Sequence, residues 1–154
     1  MARPRKTDSE LRHGRHCVFA LHAHLVFVTK YRRNVFKKEH LDAMQAILAN
    51  VCRDFDAQLM EFNGEHDHVH LLINYPPKVA LSNLVASLKG VSSRLLRQQF
   101  GDFHPWLKRR GVLWSPSYFA SSCGGAPIDI LRKYIEEQQT PHEDTCGVAL
   151  STPG

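Results

Sequence analysis

The chain of 154 residues contains no C-x-x-C pair. Its four cysteines, Cys17, Cys52, Cys123 and Cys146, are widely spaced. This argues against a zinc ribbon, and a disulfide framework does not suit a reducing compartment, so four free thiols are expected. No apolar run is long enough to span a bilayer. The opening stretch MARPRKTDSELRHGRH is basic and lacks the apolar core of a secretory signal. A cytoplasmic chain with no membrane partner is therefore expected. Internal repeats are absent. So is the H-x-E with P-C-x-x-C combination of zinc nucleobase deaminases. The K/R-G-F/Y aromatic signature of one large class of RNA-binding modules is also missing.

What remains is an ordinary globular composition, 43% apolar and 23% charged. The length fits one domain with a core that needs no staples. Net charge is +5 and the pI about 9.2, which suits a polyanionic partner. The basic residues cluster in KYRRNVFKK (Lys30 to Lys38), around Arg94 and Arg97, and in LKRRG (Lys108 to Arg110). Tyr31, Phe36, Phe100 and Trp106 lie among them. Single-strand binders combine basic grooves with stacking rings in this way. A solvated surface over core aromatics explains any one cluster, whereas three together favour nucleic acid.

Hydrophobic spacing sets the order of elements. CVFALHAHLVFVTKY reads as a long strand. KKEHLDAMQAILANVCRDF carries Leu41, Met44, Ile47, Leu48 and Val51 at helical spacing. AQLMEFNGEHDHVHLLINYPP reads as two strands turning near Asn63-Gly64 and ending at Pro76-Pro77. ALSNLVASLKGVSSRLLRQQF is a second helix, with Ser82 a candidate cap, and an irregular basic loop follows. VLWSPSYFASSC reads as a short strand or strand pair. Gly124-Gly125 interrupts the chain before a final helix, APIDILRKYIEEQQT, with Pro127 in its first turn. Residues 1–15 read as a basic flexible arm and 142–154 as a loose tail. The order β-α-β-β-α-β is the ferredoxin-like α+β pattern, an antiparallel sheet with two helices on one face. The final helix is an addition, entered through glycines that give it a plausible hinge.

The stretch GEHDHVHLLINYPP puts histidines at His66, His68 and His70. Residues i and i+2 of a strand share a face, so His68 and His70 present two imidazoles side by side while Val69 turns to the core. That geometry suits two ligands of one metal ion; two half-buried, hydrogen-bonded histidines are the plainer alternative. His22 and His24 form a rival pair on the first strand, and periodicity does not choose between the pairs. His66 falls in the turn. On the final helix Tyr134 and Gln138 are four apart and share a face. A tyrosine near a metal can act as a nucleophile, and an amide oxygen can complete a coordination sphere. Imidazole with oxygen ligands suits Mn²⁺, or Mg²⁺ when phosphate oxygens join.

The chain resembles the single-tyrosine HUH transposases of the smallest insertion sequences, which move as single-stranded DNA. The resemblance rests on HLVFVTKYRR (His24 to Arg33), DHVHLLI (Asp67 to Ile73), LWSPSYFASSCGG (Leu113 to Gly125) and YIEEQ (Tyr134 to Gln138), in family order over roughly residues 16–140. It implies a catalytic domain over 16–141, with metal ligands at His68, His70 and Gln138 and a nucleophile at Tyr134. His22, His24 and His66 are left with structural or outer hydrogen-bonding roles. One departure is His66, where relatives often carry proline. The implied activity is cleavage and rejoining of single-stranded DNA at hairpin-containing element ends, by metal-assisted transesterification through a 5′-phosphotyrosine. The implied cofactor is Mg²⁺ or Mn²⁺. The implied assembly is a homodimer whose active site is completed in trans, with Gly124 and Gly125 as the pivot. Lys30, Arg32, Arg33, Arg94, Lys108 and Arg109 are candidate DNA-backbone contacts. The rival readings are a domesticated palindrome-associated tyrosine transposase, a metal-dependent hydrolase using water, and a non-catalytic ferredoxin-like nucleic-acid-binding module.

Overall fold

A computed structural model describes residues 11–122 and 133–138, the side chains of residues 109 and 110 excepted. Two short strands, β1 (Arg12–His13) and β2 (Val18–Phe19), form a small hairpin. The main sheet contains β3 (His22–Val28), β4 (Gln58–Gly64), β5 (His68–Asn74) and β6 (Phe119–Ser122). Its order is β4-β5-β3-β6, and every neighbouring pair is antiparallel. Helix α1 (Lys38–Asp54) connects β3 to β4, and α2 (Leu81–Phe100) follows β5. This is the ferredoxin-like arrangement expected from the order of elements.

The alternation of β3 and β5 explains where the core lies. Ala23, Leu25 and Phe27 point one way, with Val69, Leu71 and Ile73. They meet Met44, Leu48 and Val51 of α1 and Leu84, Val85 and Leu88 of α2. Each such side chain, fully buried, contributes about 1.5–3 kcal/mol. The other face of the same strands carries His22, His24, Val26 and Val28 beside His68, His70, Leu72 and Asn74. One face therefore holds the fold together and the other is free to carry chemistry.

Several local expectations are corrected. The long first strand is broken: β2 ends at Phe19, β3 starts at His22, and Lys30–Arg32 form a 3-10 turn. Arg12 and His13, inside the predicted arm, are strand-paired, because the Arg12 guanidinium is held by Asn74 Oδ1 at 2.8 Å, by the Asp56 carbonyl at 2.6 Å and by the Phe19 ring. The hairpin strand runs through Asn63-Gly64, and the turn comes at 65–67. Ser82 does not cap α2, whose N-cap is Ala80. The basic loop after α2 contains a helix, α3 (Pro105–Arg110). Pro105 stands in its first turn, His104 Nδ1 accepts from the Trp106 N–H at 3.1 Å, and Gly111 at φ 75° closes it. Cys17 and Cys52 are free thiols. The expected final helix is described only over 133–138, where 133–136 make one helical turn. Gly124-Gly125, Cys123, Cys146 and the tail lie outside the described residues. Among the described residues no helix is long and apolar enough to cross a membrane.

Candidate active site

His68 and His70 lie on the face of β5 opposite the helices, ring centroids 4.9 Å apart and planes at 79°. Each ring has its Nδ1 engaged. Asp67 Oδ1 sits 2.8 Å from His68 Nδ1, and His24 Nε2 lies 3.4 Å from His70 Nδ1. Both Nε2 atoms are thereby left for another partner, the usual arrangement behind a metal-ligating imidazole. The rival histidine pair thus divides: His24 stacks on His70 at 5.5 Å, while His22 Nε2 meets Asn74 Nδ2 at 3.3 Å. Burial, with the charges of His68 and His24, pushes His70 down to about 4, so it is neutral at pH 7. Burial also lowers His24, partly offset by Glu61. Among the described residues no three His, Cys, Asp or Glu side chains gather as a metal site. Two imidazoles fit part of a coordination sphere; the rest would come from an amide, water or phosphate oxygen.

The loop after β3 is clamped to this end of β5. The Thr29 N–H donates to the Asp67 carbonyl at 2.9 Å, and the Thr29 hydroxyl lies 2.8 Å from the Arg33 carbonyl and 3.2 Å from that of Asp67. The His66 carbonyl accepts from the N–H groups of Val35 and Phe36. His66 contributes its backbone here, and its side chain is exposed. Tyr31 and Arg32 take positive φ values of 59° and 54°, a strained choice for residues with side chains. Arg32 Nε lies 3.6 Å from Asp67 Oδ2. Burial pushes the Asp67 carboxyl up, but the His68 hydrogen bond and the charges of His68, His66 and Arg32 together hold it below the usual range.

The Tyr134 turn packs at the β6 edge of the sheet, on the same face. Its ring packs on Phe119 at 5.6 Å. Phe119 is registered with Val26, and Val26 with His70, so the three residues form one row across β6, β3 and β5. The Tyr134 hydroxyl is 2.9 Å from Ser117 Oγ, and Ser115 Oγ donates to Gln138 Oε1 at 3.1 Å. Burial raises the phenol, and the Ser117 hydrogen bond partly lowers it. No hydrogen bond joins Tyr134 or Gln138 to either histidine among the described residues. A cleft of about 180 Å³ beside the turn is lined by Lys30, Tyr31, Ser115, Pro116, Glu137 and Gln138.

The family model described as "Transposase IS200 like" matches residues 17–138. The chain belongs to the IS200-like transposases. It is similar to the transposase for insertion sequence element IS200 of Salmonella typhimurium, 35% identical over 130 residues that cover 84% of this chain and 83% of that one. It is similar also to the ISDra2 transposase TnpA of Deinococcus radiodurans, 33% identical over 132 residues covering 84% and 91%. A crystal structure of a candidate transposase from Deinococcus radiodurans superposes with a TM-score of 0.73 at 31% identity, covering 84% of this chain and 98% of that one. A REP-associated tyrosine transposase bound to a REP hairpin shares the fold alone, with a TM-score of 0.50 at 12% identity over 82% and 69% of the two chains. The transposase is thus a DNA-processing enzyme of α+β fold.

The candidate DNA contacts of the transposase fall into two groups. Lys30 lines the cleft at Gln138, while Arg94 and Lys108 are exposed. Arg32 is tied to Asp67, and Arg33 lies over the Trp106 ring at 4.1 Å. Arg109 has no described side chain. The rings among the basic clusters are chiefly packing groups: Phe36 and Trp106 are buried, and Tyr31 and Phe100 pack against the core. The expectation of stacking rings at those four positions therefore gives way to the core reading. Sequence reasoning did not single out Asp67, Ser115, Ser117 or Lys89. Asp67 and both serines stand inside the quoted motifs, whereas a lysine within an amphipathic helix gives no such signal.

Proposed function

We propose that this transposase cleaves and rejoins single-stranded DNA at hairpin-containing ends of its element through a 5′-phosphotyrosine. The observation that carries the reading is the row from His70 through Val26 to Phe119, with Tyr134 packed at its end. The reading is supported by two imidazoles whose Nδ1 atoms are engaged and by a phenol packed at the end of the same row. His68 and His70 hold a divalent cation, Mg²⁺ or Mn²⁺, with the Gln138 amide oxygen as a further ligand. When bound, the ion polarises the scissile phosphate and stabilises charge on its oxygens. Tyr134 Oη forms the new bond to phosphorus in line as the bond to the 3′ oxygen breaks. The phenolic proton is lost to solvent, and the 3′ oxygen leaves as a hydroxyl. The phosphotyrosine conserves the phosphodiester linkage, so a second 3′-hydroxyl reverses the step without ATP. Lys30, beside Gln138, is placed to meet a backbone phosphate there, with Arg94 and Lys108 further along the strand. The active form is a homodimer whose tyrosine turn is exchanged between subunits about Gly124-Gly125.

Likeness to insertion-sequence transposases at 33–35% identity supports an element-borne enzyme over a palindrome-associated one, whose resemblance is 12%. The test mixes the protein with labelled single strands copied from the DNA flanking its gene, with Mg²⁺ or Mn²⁺. A metal-dependent covalent band lost in both Tyr134→Phe and His68→Ala is expected. Strand cleavage without an adduct, persisting in Tyr134→Phe, would replace this reading with a hydrolase.

A further inference from the structure

The segment between the Thr29–Trp114 bridge and β6 is built more carefully than a connecting loop requires. The Ser115 N–H donates to the Val28 carbonyl at 2.8 Å, fixing the loop to the end of β3 whose partner in β5 is His68. Lys89 reaches from α2, and its ammonium donates to the carbonyls of Ser115 and Ser117 at 2.5 and 3.0 Å. Trp114 Nε1 donates to the buried Ser92 hydroxyl at 3.0 Å. The backbone is therefore held from three directions, leaving both serine hydroxyls facing the tyrosine turn.

Those hydroxyls lie close together, Ser115 Oγ 3.5 Å from Ser117 Oγ, and converge on the turn. Ser117 meets Tyr134, and both serines meet Gln138. Ser117 Oγ is 2.9 Å from the Tyr134 hydroxyl and Ser115 Oγ donates to Gln138 Oε1 at 3.1 Å. The other side of the amide is taken too: Gln138 Nε2 donates to the Tyr134 carbonyl at 3.2 Å. The carboxamide is gripped at both ends, its oxygen 3.4 Å from Ser117 Oγ as well, so its orientation is fixed by the cradle.

We propose that Ser115 and Ser117, with Lys89 as their strut, form a docking cradle that sets the register of the tyrosine turn. They are positioning residues that act through Tyr134 and Gln138, and the same cradle serves a turn supplied by either subunit. A helix displaced by one residue rotates its side chains by about 100° and loses both bonds at once. The cradle thus accepts one rotational setting, the one that presents the phenol and the amide oxygen together. The inference rests on Tyr134 being the nucleophile, and the test separates the two ideas.

The test uses full-length protein with 3-fluorotyrosine at position 134, alone and with a single-stranded element end in Mn²⁺. In Ser115→Ala/Ser117→Ala the fluorine resonance is expected to move towards that of free fluorotyrosine. Adduct formation at saturating DNA should slow about 10- to 100-fold, from two hydrogen bonds each worth a factor of about 3 to 10. Ser117→Thr, which restores one hydroxyl at an exposed position, should recover the resonance and most of the rate relative to Ser117→Ala. An unmoved resonance in the double variant would overturn the cradle. A moved resonance with an unchanged rate would overturn its positioning role. An adduct that survives Tyr134→Phe would remove the nucleophile assignment instead, leaving the fluorine signal to judge the cradle.

Discussion

Replacing Asp67 with alanine removes a carboxylate that is 6% exposed and touches both His68 and Arg32. The hydrogen bond to His68, at 2.8 Å, involves a charged acceptor and is worth about 1.5–3 kcal/mol. The Arg32 contact, at 3.6 Å with that side chain 29% exposed, is screened by solvent and adds at most about 1 kcal/mol. The carbonyl of residue 67 keeps its bond from the Thr29 N–H in the variant, because that bond involves only backbone. The expected loss is therefore about 2–4 kcal/mol, a fall in Tm of roughly 5–15 °C for a domain of this size. Urea unfolding at neutral pH measures it directly. Asp67→Asn retains an acceptor for the His68 N–H and should lose less than half as much. Under the proposed metal site a second consequence follows: with Nδ1 unheld, the His68 ring is free to turn, and Mn²⁺ affinity should drop about 10- to 100-fold. Titration with Mn²⁺ followed by electron paramagnetic resonance reads this without DNA or turnover. A stability loss below about 0.5 kcal/mol in Asp67→Ala would refute the bond to His68 as an energetic link. Unchanged Mn²⁺ affinity would refute its orienting role.

Other outcomes follow from particular residues. His40 accepts the Lys37 N–H on Nδ1 at 2.9 Å between the rings of Phe100 and Phe103, and burial holds its pKa below the ordinary value. Its contribution is complete above the unfolded pKa of about 6.5 and shrinks as pH falls towards the lower folded value, so His40→Gln should flatten the stability–pH curve just below pH 6.5 in denaturant titrations. Cys52 is fully buried with its thiol pushed up to about 12, so iodoacetamide should label Cys17 in the folded protein and reach Cys52 only after unfolding, as peptide mass mapping would show. Leu88→Ala, in the core between α2 and the sheet, should cost about 2–5 kcal/mol in urea unfolding.

Periodicity carried most of the fold. Met44, Ile47, Leu48 and Val51 are buried as their spacing demands, and so are Leu84, Val85 and Leu88. Alternation in HVHLLI placed His68 and His70 on one face correctly, because Val69 and Leu71 had to go inward. What the sequence could not show were interactions set by tertiary contacts. The break at Ala20-Leu21 lies inside an apolar run with no turn residue to mark it. Helix α3 depends on a histidine cap and a glycine stop, both too local to produce a periodic signal. The rings of Phe36 and Trp106 lie in a basic stretch, yet the core claims them. Within the site, the histidine pair and Tyr134 were legible as chemistry-bearing types. Their partners Asp67, Ser115 and Ser117 are common polar residues whose roles depend on where the strand ends and loops meet.

Strand β5 carries two messages on alternate residues. Val69, Leu71 and Ile73 address the helices, and His68 and His70 address the open face. A one-residue slip in its pairing would bury both imidazoles and expose three apolar side chains. The energetic penalty of such a slip falls on the fold before it falls on the chemistry. Any molecule of this transposase that has folded has therefore already passed a check on the alignment of its histidines, and an insertion or deletion within β5 would remove the protein altogether rather than release a stable, misaligned enzyme.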